Sequence, residues 1–252
     1  MKLGLIGAGN MAGALARGIG EPMLVADVDR DKARRLADDL GGEALHSNAA
    51  VAERADVVVL CHKPAQLEEV AGELAGKAKA IASILAATTT AQLEAAYPGV
   101  PVYRFIPNIP VEVRQGVLCY TPGSRASDGP EQELLELFGR AGAVIVLDEP
   151  QIEPAMALMS CGPAFWALFA EAFVEAGTAN GLAPADAARM TVQTMAGTAA
   201  YLERHGLDTA GMRARVATPG GTTERGLNQL EEGGVRDLVR ATVDAVVEAT
   251  RP

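Results

Sequence analysis

The sequence of 252 residues contains little cysteine, few aromatic residues and a deficit of positive charge. Its three cysteines, Cys61, Cys119 and Cys161, form no Cys-x-x-Cys pair, which argues against a disulfide framework or a metal site and favours a reducing, cytoplasmic location. Aromatic residues make up 4% of the chain, which disfavours an aromatic-rich β-sandwich. The 22 basic residues are outnumbered by 32 acidic ones, and the net charge of −10 excludes nucleic acid and anionic membranes as expected partners.

The sequence also lacks a long apolar run. The longest uncharged stretch, Ala155–Ala170, is shorter than the roughly 20 residues that span a bilayer, and Gly162-Pro163 interrupts it. We therefore expect this stretch to form a buried helical segment. The apolar residues at the start, Met1–Gly7, are too few for a signal peptide. These features predict a soluble protein without a membrane span.

Short apolar runs alternate with charged, helix-like stretches in the first 150 residues or so. The predicted strands are Lys2–Ile6, Met23–Asp27, Asp56–Cys61, Ala80–Leu85, Val102–Ile106, Val117–Tyr120 and Val144–Leu147. Helical spacing occupies Arg30–Leu40 and Ala65–Leu74 between them. Most strands are continuously apolar, which is typical of strands covered on both faces, so we predict an α/β fold with a mostly parallel, doubly wound sheet.

The character of the sequence changes near Glu149, and no further strand is predicted beyond it. Helical patterns occupy Ile152–Asn180, with an interruption at Gly162-Pro163, and then Pro184–Arg204 and Gly226–Thr250. A loop rich in glycine and threonine separates the last two helices. The sequence therefore predicts an α/β domain over residues 1–149 and an all-helical domain over residues 150–252.

A glycine-rich turn directly follows the first predicted strand. Residues 7–12 read Gly-Ala-Gly-Asn-Met-Ala and lead into a helical pattern, which is the Gly-x-Gly-x-x-[Gly/Ala] arrangement in a strand–turn–helix context. Gly7 permits the tight turn, Gly9 allows a pyrophosphate to approach the backbone, and Ala12 lets helix and strand pack closely. We predict a Rossmann-type dinucleotide site here, the alternative being a turn with no ligand.

The acidic residue that ends the second strand, Asp27, is placed to accept hydrogen bonds from an adenosine ribose. Taken alone it favours NADH, because a carboxylate repels the 2′-phosphate of NADPH. Arg30, Lys32 and Arg34 follow it and are available to hold that phosphate instead. Asp27 also suits a capping or turn role, and the sequence leaves the choice of cofactor open.

A second glycine pair lies in the loop before the last predicted helix. Gly220-Gly221 can adopt positive φ and expose successive N–H groups as an anion-binding nest, while Thr222 and Thr223 add hydroxyl groups at a helix start. Such a nest binds a substrate carboxylate without a basic residue. The alternative is an N-capped turn in which the threonines only begin the helix.

This loop, from Thr218 to Thr223, resembles the Ser-Pro-Gly-Gly-Thr-Thr signature of pyrroline-5-carboxylate reductases, with Thr218 in place of serine. Other segments resemble that family in the same order along the chain. They are Lys63-Pro64, Arg104–Pro110, Cys161–Phe165, Glu171-Ala172, Ala176-Gly177, Gly181-Leu182, Gln193-Thr194 and Gly197. The resemblance covers nearly the whole sequence, and the loop is its most specific part.

The resemblance implies reduction of the cyclic imine Δ1-pyrroline-5-carboxylate to L-proline by a hydride from NADPH or NADH. It implies that the helical domain is a dimerisation domain that interlocks with a second copy, and that such dimers often assemble further into a decamer. The substrate then lies near the dimer interface. The loop from Thr218 to Thr223 accordingly serves the cofactor of the neighbouring subunit.

The resemblance also assigns residue roles. Substrate binding falls to Gly220, Gly221, Thr222 and Thr223, and we expect the hydroxyl groups of Thr223 and Thr218 to serve catalysis, Thr223 by contacting the ring nitrogen or the carboxylate. Cofactor binding falls to Gly7, Gly9, Asn10, Met11, Asp27, Asn48, Lys63, Pro64 and Asn108. Alternatives are an Asx turn for Asn108 and a solvated loop lysine for Lys63. His62 stands where the family has an apolar residue and is a candidate to approach the cofactor, the alternative being a residue without a role in the site.

Several positions depart from the family pattern. The family carries an acidic residue before the loop, and the corresponding position in this sequence lies near Gly206. Cys161 replaces glycine or serine, and Phe165 replaces tyrosine. These departures bear on the substrate more than on the fold. They keep two alternatives open, which are reduction of a related cyclic imine acid and a non-catalytic dinucleotide-binding protein on the same scaffold.

Overall fold

The computed structural model describes residues 1–250, which divide into two compact units, Met1–Pro163 and the residues from Ala164 onward. The strands of the first unit are β1 Leu3–Ile6, β2 Leu24–Ala26, β3 Glu43–Ala44, β4 Val57–Leu60, β5 Ile81–Ser83, β6 Val102–Pro107, β7 Gly116–Pro122 and β8 Gly142–Val146. Its helices are α1 Asn10–Ile19, α2 Arg30–Leu40, α3 Asn48–Arg54, α4 Leu67–Leu74, α5 Thr90–Ala96, α6 Glu131–Phe138 and α7 Ile152–Met159. Helix α8, Gly162–Ala179, begins where this unit ends.

The eight strands form one sheet in the order β3-β2-β1-β4-β5-β6-β7-β8. Every neighbouring pair is parallel except β6 and β7, which are antiparallel. The first six strands follow the 3-2-1-4-5-6 order of dinucleotide-binding sheets. The order reverses between β1 and β4, so the crevice at their carboxyl ends is the place where such sheets bind ligands. The predicted Rossmann-type sheet is confirmed.

Both faces of the sheet are covered, which explains the continuous apolar runs. Along β4, Val57 and Val59 join a cluster with Phe105 and Phe138, while Val58 and Leu60 join the cluster on the opposite face. This alternation follows from the two-residue period of a strand. The strands that carry the site are therefore held between two apolar clusters.

Helix α7 packs within the first unit, although the sequence places it after the predicted boundary. Ile152 and Met159 of α7 are buried against Ile106 of β6 and Cys119 of β7. The compact units consequently divide after Pro163, whereas the boundary at residue 149 stays a prediction about domain organisation.

The second unit is helical throughout the residues that the structure describes. After α8 come α9 Pro184–Arg204, α10 Thr209–Val216, α11 Thr222–Glu232 and α12 Val235–Thr250. The single helix expected over Gly226–Thr250 is wrong, because Gly234 has φ +74° and interrupts it. Helix α10 was not expected; Asp208 caps it by accepting a hydrogen bond from the Gly211 N–H at 2.8 Å.

The expectation that the apolar stretch Ala155–Ala170 is buried is wrong for its second part. Trp166 is 62% exposed and Leu168 is 65% exposed, and further along α8 Phe173 is also exposed. By length and composition alone, Glu149–Ala179 would suffice to cross a membrane, but a single stretch of this kind is weak evidence for a span. The second unit thus presents an apolar surface on α8.

Candidate cofactor and substrate sites

The turn after β1 accepts only glycine at its first position. Gly7 has φ +103°, and a Cβ atom there would lie 2.7 Å from the carbonyl oxygen of Cys61 and 3.0 Å from the backbone nitrogen of His62. Both contacts are with backbone at the end of β4, which cannot move without disturbing the sheet. Gly7 therefore brings the turn directly against the point where the strand order reverses.

The second glycine of the turn, Gly9, borders open space. Gly9 is the N-cap of α1, no side chain in the described part of the chain caps this helix, and a Cβ on Gly9 would meet no atom within 4 Å. Asn10 and Met11 form the first helical turn, and Ala12 is buried. An uncapped helix N terminus with open space before it suits a pyrophosphate, so the residues present fit a dinucleotide.

Asp27 follows β2 and is fixed by two backbone N–H groups. Its Oδ2 accepts a hydrogen bond from Ala8 at 2.6 Å, and its Oδ1 accepts one from Asp29 at 2.8 Å. The turn role that the sequence allowed is therefore present. This role leaves the side chain available to a ligand as well, because Asp27 also lines a cavity beside the end of β2.

This cavity has a volume of about 440 Å³ and adjoins the carboxyl ends of β2 and β3. Its lining includes Asp27, Val28, Ser47, Asn48, Glu73 and Lys77. Asn48 donates a hydrogen bond from Nδ2 to Glu73 Oε2 at 2.7 Å. The structure thus brings together Asp27 and Asn48, two residues predicted to contact the adenosine end of the cofactor.

The cations that follow Asp27 are largely paired with nearby carboxylates. Lys32 Nζ lies 3.7 Å from an oxygen of Asp29, and Arg34 Nη1 lies 3.4 Å from an oxygen of Asp31. Arg30 is exposed at the first position of α2. Exposed pairs of this kind are worth little individually, but they reduce the positive charge that a phosphate would meet.

Lys63 and Pro64 follow β4, next to the residues that contact Gly7. Lys63 is exposed, and Pro64 begins a short 3₁₀ turn, Pro64–Gln66. The Lys63 N–H donates to the Gln66 side chain at 3.3 Å. The structure accordingly places both residues at the end of β4 nearest the glycine turn, while their contact with a cofactor stays a prediction.

His62 is half-buried between Cys61 and Lys63. Its Nδ1 lies 2.9 Å from the carbonyl oxygen of Lys63, so this nitrogen carries the proton, and Nε2 is buried without a partner among the described residues. Burial lowers the pKa of His62. The imidazole is therefore neutral at pH 7 and lies beside the glycine turn, as the sequence allowed.

Asn108 is buried, with 7% of its surface exposed, and its side chain joins two elements. Its Oδ1 accepts a hydrogen bond from the Val117 N–H at 2.8 Å, and its Nδ2 donates to the Met159 carbonyl at 2.9 Å. These are contacts with distant residues and not the Asx turn that the sequence offered as an alternative, although they do fix the position of Asn108. A role at the nicotinamide end stays a prediction.

An ion pair that the sequence did not signal joins the buried Arg104 to the half-buried Glu149. The Arg104 guanidinium on β6 pairs with Glu149, whose Oε2 also accepts a hydrogen bond from the Thr90 hydroxyl at 2.5 Å. Burial lowers the pKa of Arg104, and the charge of Glu149 opposes that shift. The group ties α5, β6 and the segment before α7 together.

The second predicted site is the turn before α11. Gly220 has φ +75°, and a Cβ on Gly221 would lie 2.6 Å from the Thr218 hydroxyl oxygen. Gly220 therefore makes the left-handed turn, and Gly221 leaves room for the side chain of Thr218. Thr222 and Thr223 lie in the first turn of α11 and not in the loop.

The two glycine N–H groups do not form a free nest. The Gly220 N–H donates to Glu224 Oε2 at 2.7 Å, and the Gly221 N–H donates to the Thr218 carbonyl at 2.9 Å. No side chain in the described residues caps α11. The anion-binding groups left at this end of the helix are the first-turn N–H groups and the hydroxyls of Thr222 and Thr223.

Two family models match the chain. Residues 149–252 match the model described as pyrroline-5-carboxylate reductase dimerisation, and residues 2–87 match the one described as NADP oxidoreductase coenzyme F420-dependent. The first of these assigns a dimerisation domain to the helical region.

Known proteins with similar sequences match this chain over nearly its full length. A pyrroline-5-carboxylate reductase from Mycobacterium leprae is 33% identical, covering 97% of this chain and 94% of that protein. Pyrroline-5-carboxylate reductase 3 from Macaca fascicularis is 32% identical, covering 99% and 93%. The solved structure of a pyrroline-5-carboxylate reductase from Coxiella burnetii has 30% identity and a TM-score of 0.90, covering 99% and 97%. The chain therefore belongs to the pyrroline-5-carboxylate reductase family.

Proposed function

We propose that the protein is an NAD(P)H-dependent reductase that converts Δ1-pyrroline-5-carboxylate to L-proline in the cytoplasm, as a step of proline biosynthesis. Family membership over nearly the whole chain supports this activity. The observation that carries the proposal is the N terminus of α11, which no side chain in the described residues caps and where Thr222 is exposed and Thr223 half-buried. When bound, the reduced nicotinamide supplies a hydride to the imine carbon.

The residues of the first unit bind the cofactor. Gly7 and Gly9 leave the N terminus of α1 open to the pyrophosphate, and Asp27 with Asn48 holds the adenosine end. Lys63, Pro64 and Asn108 shape the remaining part of the cleft. Since this binding uses backbone N–H groups and a helix dipole, a protein with a net charge of −10 can hold an anionic cofactor.

The residues before and within α11 bind the substrate. The first-turn N–H groups hold its carboxylate, and the hydroxyl of Thr223 orients the cyclic imine by hydrogen bonding to the ring nitrogen or the carboxylate. Thr218 keeps a hydroxyl group at the start of the loop. This hydroxyl lies close to Gly221, where an added Cβ would be only 2.6 Å away from it. The substrate is thus positioned without a basic side chain.

The helical unit forms a homodimer through the apolar surface of α8. Trp166, Leu168 and Phe173 are exposed in one chain, and an exposed apolar surface of this kind marks an interaction site. The matched dimerisation domain supports a second copy as the occupant. By the family resemblance, the loop from Thr218 to Thr223 serves the cofactor of the neighbouring subunit, and dimers assemble further into a decamer.

One observation favours a second candidate substrate. Gly206 has φ +70° in the turn after α9, where the family carries an acidic residue able to face the substrate amine. A glycine suits this left-handed turn, but it removes the carboxylate. Together with Cys161 and Phe165, this change favours a related cyclic imine acid as the alternative.

Initial rates with two imines test the proposal. The full-length protein is assayed with Δ1-pyrroline-5-carboxylate and with its six-membered homologue, each with NADH and with NADPH. We expect a higher kcat/KM for the five-membered imine. A preference for the homologue would establish the second candidate, and binding of a dinucleotide without any turnover would identify a non-catalytic protein.

A further inference from the structure

The segment after β2 carries carboxylates at every second position, Asp27, Asp29 and Asp31. We propose that this segment selects the dinucleotide with a free 2′-hydroxyl, NADH, over its 2′-phosphorylated form, NADPH, and that Asp27 is the residue that sets the preference. The inference rests on the dinucleotide binding of the proposed function and names which of the two cofactors the site takes.

The carboxylate of Asp27 has a fixed position. Hydrogen bonds from the backbone N–H groups of Ala8 and Asp29, at 2.6 and 2.8 Å, hold its two oxygens between the glycine turn and the start of α2. A carboxylate at the end of the second strand accepts hydrogen bonds from ribose hydroxyls and repels a phosphate. Asp27 cannot turn away from a 2′-phosphate without losing both backbone hydrogen bonds.

The N terminus of α2, which would otherwise attract a phosphate, is already capped by the chain itself. Asp29 Oδ1 accepts hydrogen bonds from the N–H groups of Asp31 and Lys32 at 3.1 and 3.2 Å. The hydrogen bond from Lys32 is the main cause that lowers the pKa of Asp29. A 2′-phosphate approaching this end of α2 therefore meets a negative charge where a free helix terminus would offer donors.

The nearby cations do not offset these carboxylates. Lys32 and Arg34 pair with Asp29 and Asp31 at 3.7 and 3.4 Å, within their own helix start. The cavity beside Asp27 also contains the carboxylate of Glu73, which accepts a hydrogen bond from Asn48. Lys77 and His46 line the same cavity, and Lys77 Nζ lies 3.9 Å from an oxygen of Glu53.

Arg30 is the cation of the α2 start that is exposed and lies nearest in sequence to Asp27. Arg35 lines a different cavity of about 190 Å³, together with Gly9, Asn10 and Arg17. That cavity adjoins the turn that suits the pyrophosphate. Arg35 is therefore placed for the phosphates that both cofactors share, while Asp27 and Asp29 outnumber Arg30 at the group that distinguishes them.

Binding of the two cofactors to the full-length protein, measured calorimetrically without substrate, tests the inference. We expect the wild-type protein to bind NADH about tenfold more tightly than NADPH, a difference of about 1.4 kcal/mol. Asp27→Asn keeps one acceptor oxygen and removes the charge, and it should reduce this ratio about tenfold by improving NADPH binding. Asp27→Ser serves as a second variant if the first does not fold, and Asp38→Asn removes an exposed charge of α2 as the matched control.

Each result decides a separate point. Equal or tighter binding of NADPH by the wild-type protein would overturn the preference, and an unchanged ratio in both Asp27 variants would overturn the role of Asp27. Adenosine 5′-monophosphate and adenosine 2′,5′-bisphosphate are further probes that test the adenosine end alone and require no variant. Tighter binding of the bisphosphate than of the monophosphate would also overturn the preference. Binding of neither dinucleotide would instead contradict the proposed function itself.

Discussion

The Asp27 carboxylate and the Ala8 backbone N–H are joined by a hydrogen bond of 2.6 Å. This contact links the end of β2 to the turn between β1 and α1. Because the same turn lies against the end of β4 through Gly7, three neighbouring strands contribute to one rigid edge of the sheet. The positions that would hold the ribose and the pyrophosphate are therefore fixed relative to each other before a cofactor binds.

The two glycines of the turn should respond differently to alanine. Gly7→Ala places a Cβ 2.7 Å from the Cys61 carbonyl oxygen at a positive φ, and we expect it to lower the free energy of unfolding by about 2 kcal/mol or more. Gly9→Ala meets no atom within 4 Å and should leave the unfolding midpoint unchanged while it weakens dinucleotide binding about tenfold. Urea unfolding and calorimetry measure the two effects. Wild-type affinity in Gly9→Ala would contradict the open approach to α1.

The hydroxyl of Thr223 should contribute to turnover. Thr223→Val removes the hydroxyl at nearly constant volume, and we expect kcat/KM to fall about tenfold, which corresponds to about 1.4 kcal/mol of transition-state stabilisation. Thr223→Ser keeps the hydroxyl and is the matched control, so its kcat/KM should stay close to that of the wild-type protein. A change of less than about twofold in Thr223→Val would remove this residue from the mechanism.

Glu149 should be important for stability because its partner is buried. The side chain of Arg104 is 5% exposed, and Glu149→Gln would leave its charge without a full counter-charge. Breaking a buried pair costs about 3–5 kcal/mol, and the partial exposure of Glu149 reduces the expected loss to about 2 kcal/mol. A double variant with Arg104→Met should lose less than the sum of the single changes in urea unfolding. Additive losses would show that the two residues act independently.

Much of this architecture could be predicted from the sequence. Helices α2 and α9 have the predicted bounds, and the seven predicted strands are present, because strong periodicity and breaker residues mark them. Strand β3 has two exposed residues and no apolar run, so no pattern signals it. The Ala8 partner of Asp27 and both partners of Asn108 depend on tertiary contacts, and no local pattern encodes which of several groups lies within reach. The hydrogen bond from the Gly220 N–H to Glu224, four residues along the chain, is by contrast a local contact at the start of α11.

His62 should make stability depend on pH below neutrality. Burial lowers the pKa of His62 in the folded protein, so the unfolded chain binds more protons as the pH falls. The contribution of the neutral imidazole is present above the unfolded pKa of about 6.5 and is lost as the pH falls through the folded pKa. We expect urea unfolding of His62→Val to show a smaller loss between pH 7 and pH 5 than the wild-type protein. His46→Gln, at an exposed histidine, should behave like the wild-type protein.

The exposed surface of α8 should hold the subunits together. Trp166→Asp and Phe173→Asp place charges on side chains that are exposed in one chain, and we expect both to convert the wild-type oligomer, dimer or decamer, to a monomer. Val113→Asp changes an exposed apolar residue of the first unit and is the control, so it should keep the oligomeric state of the wild-type protein. Sedimentation velocity distinguishes the species. A wild-type monomer, or dimeric Trp166 and Phe173 variants, would contradict this interface.

Product analysis tests the central claim most directly. The full-length protein is incubated with Δ1-pyrroline-5-carboxylate and reduced nicotinamide cofactor, and L-proline is quantified by chiral chromatography against the cofactor oxidised. The account predicts one L-proline for each NADH or NADPH consumed, with no cofactor oxidation when the imine is omitted. Absence of L-proline with both cofactors, from protein that binds a dinucleotide, would contradict it.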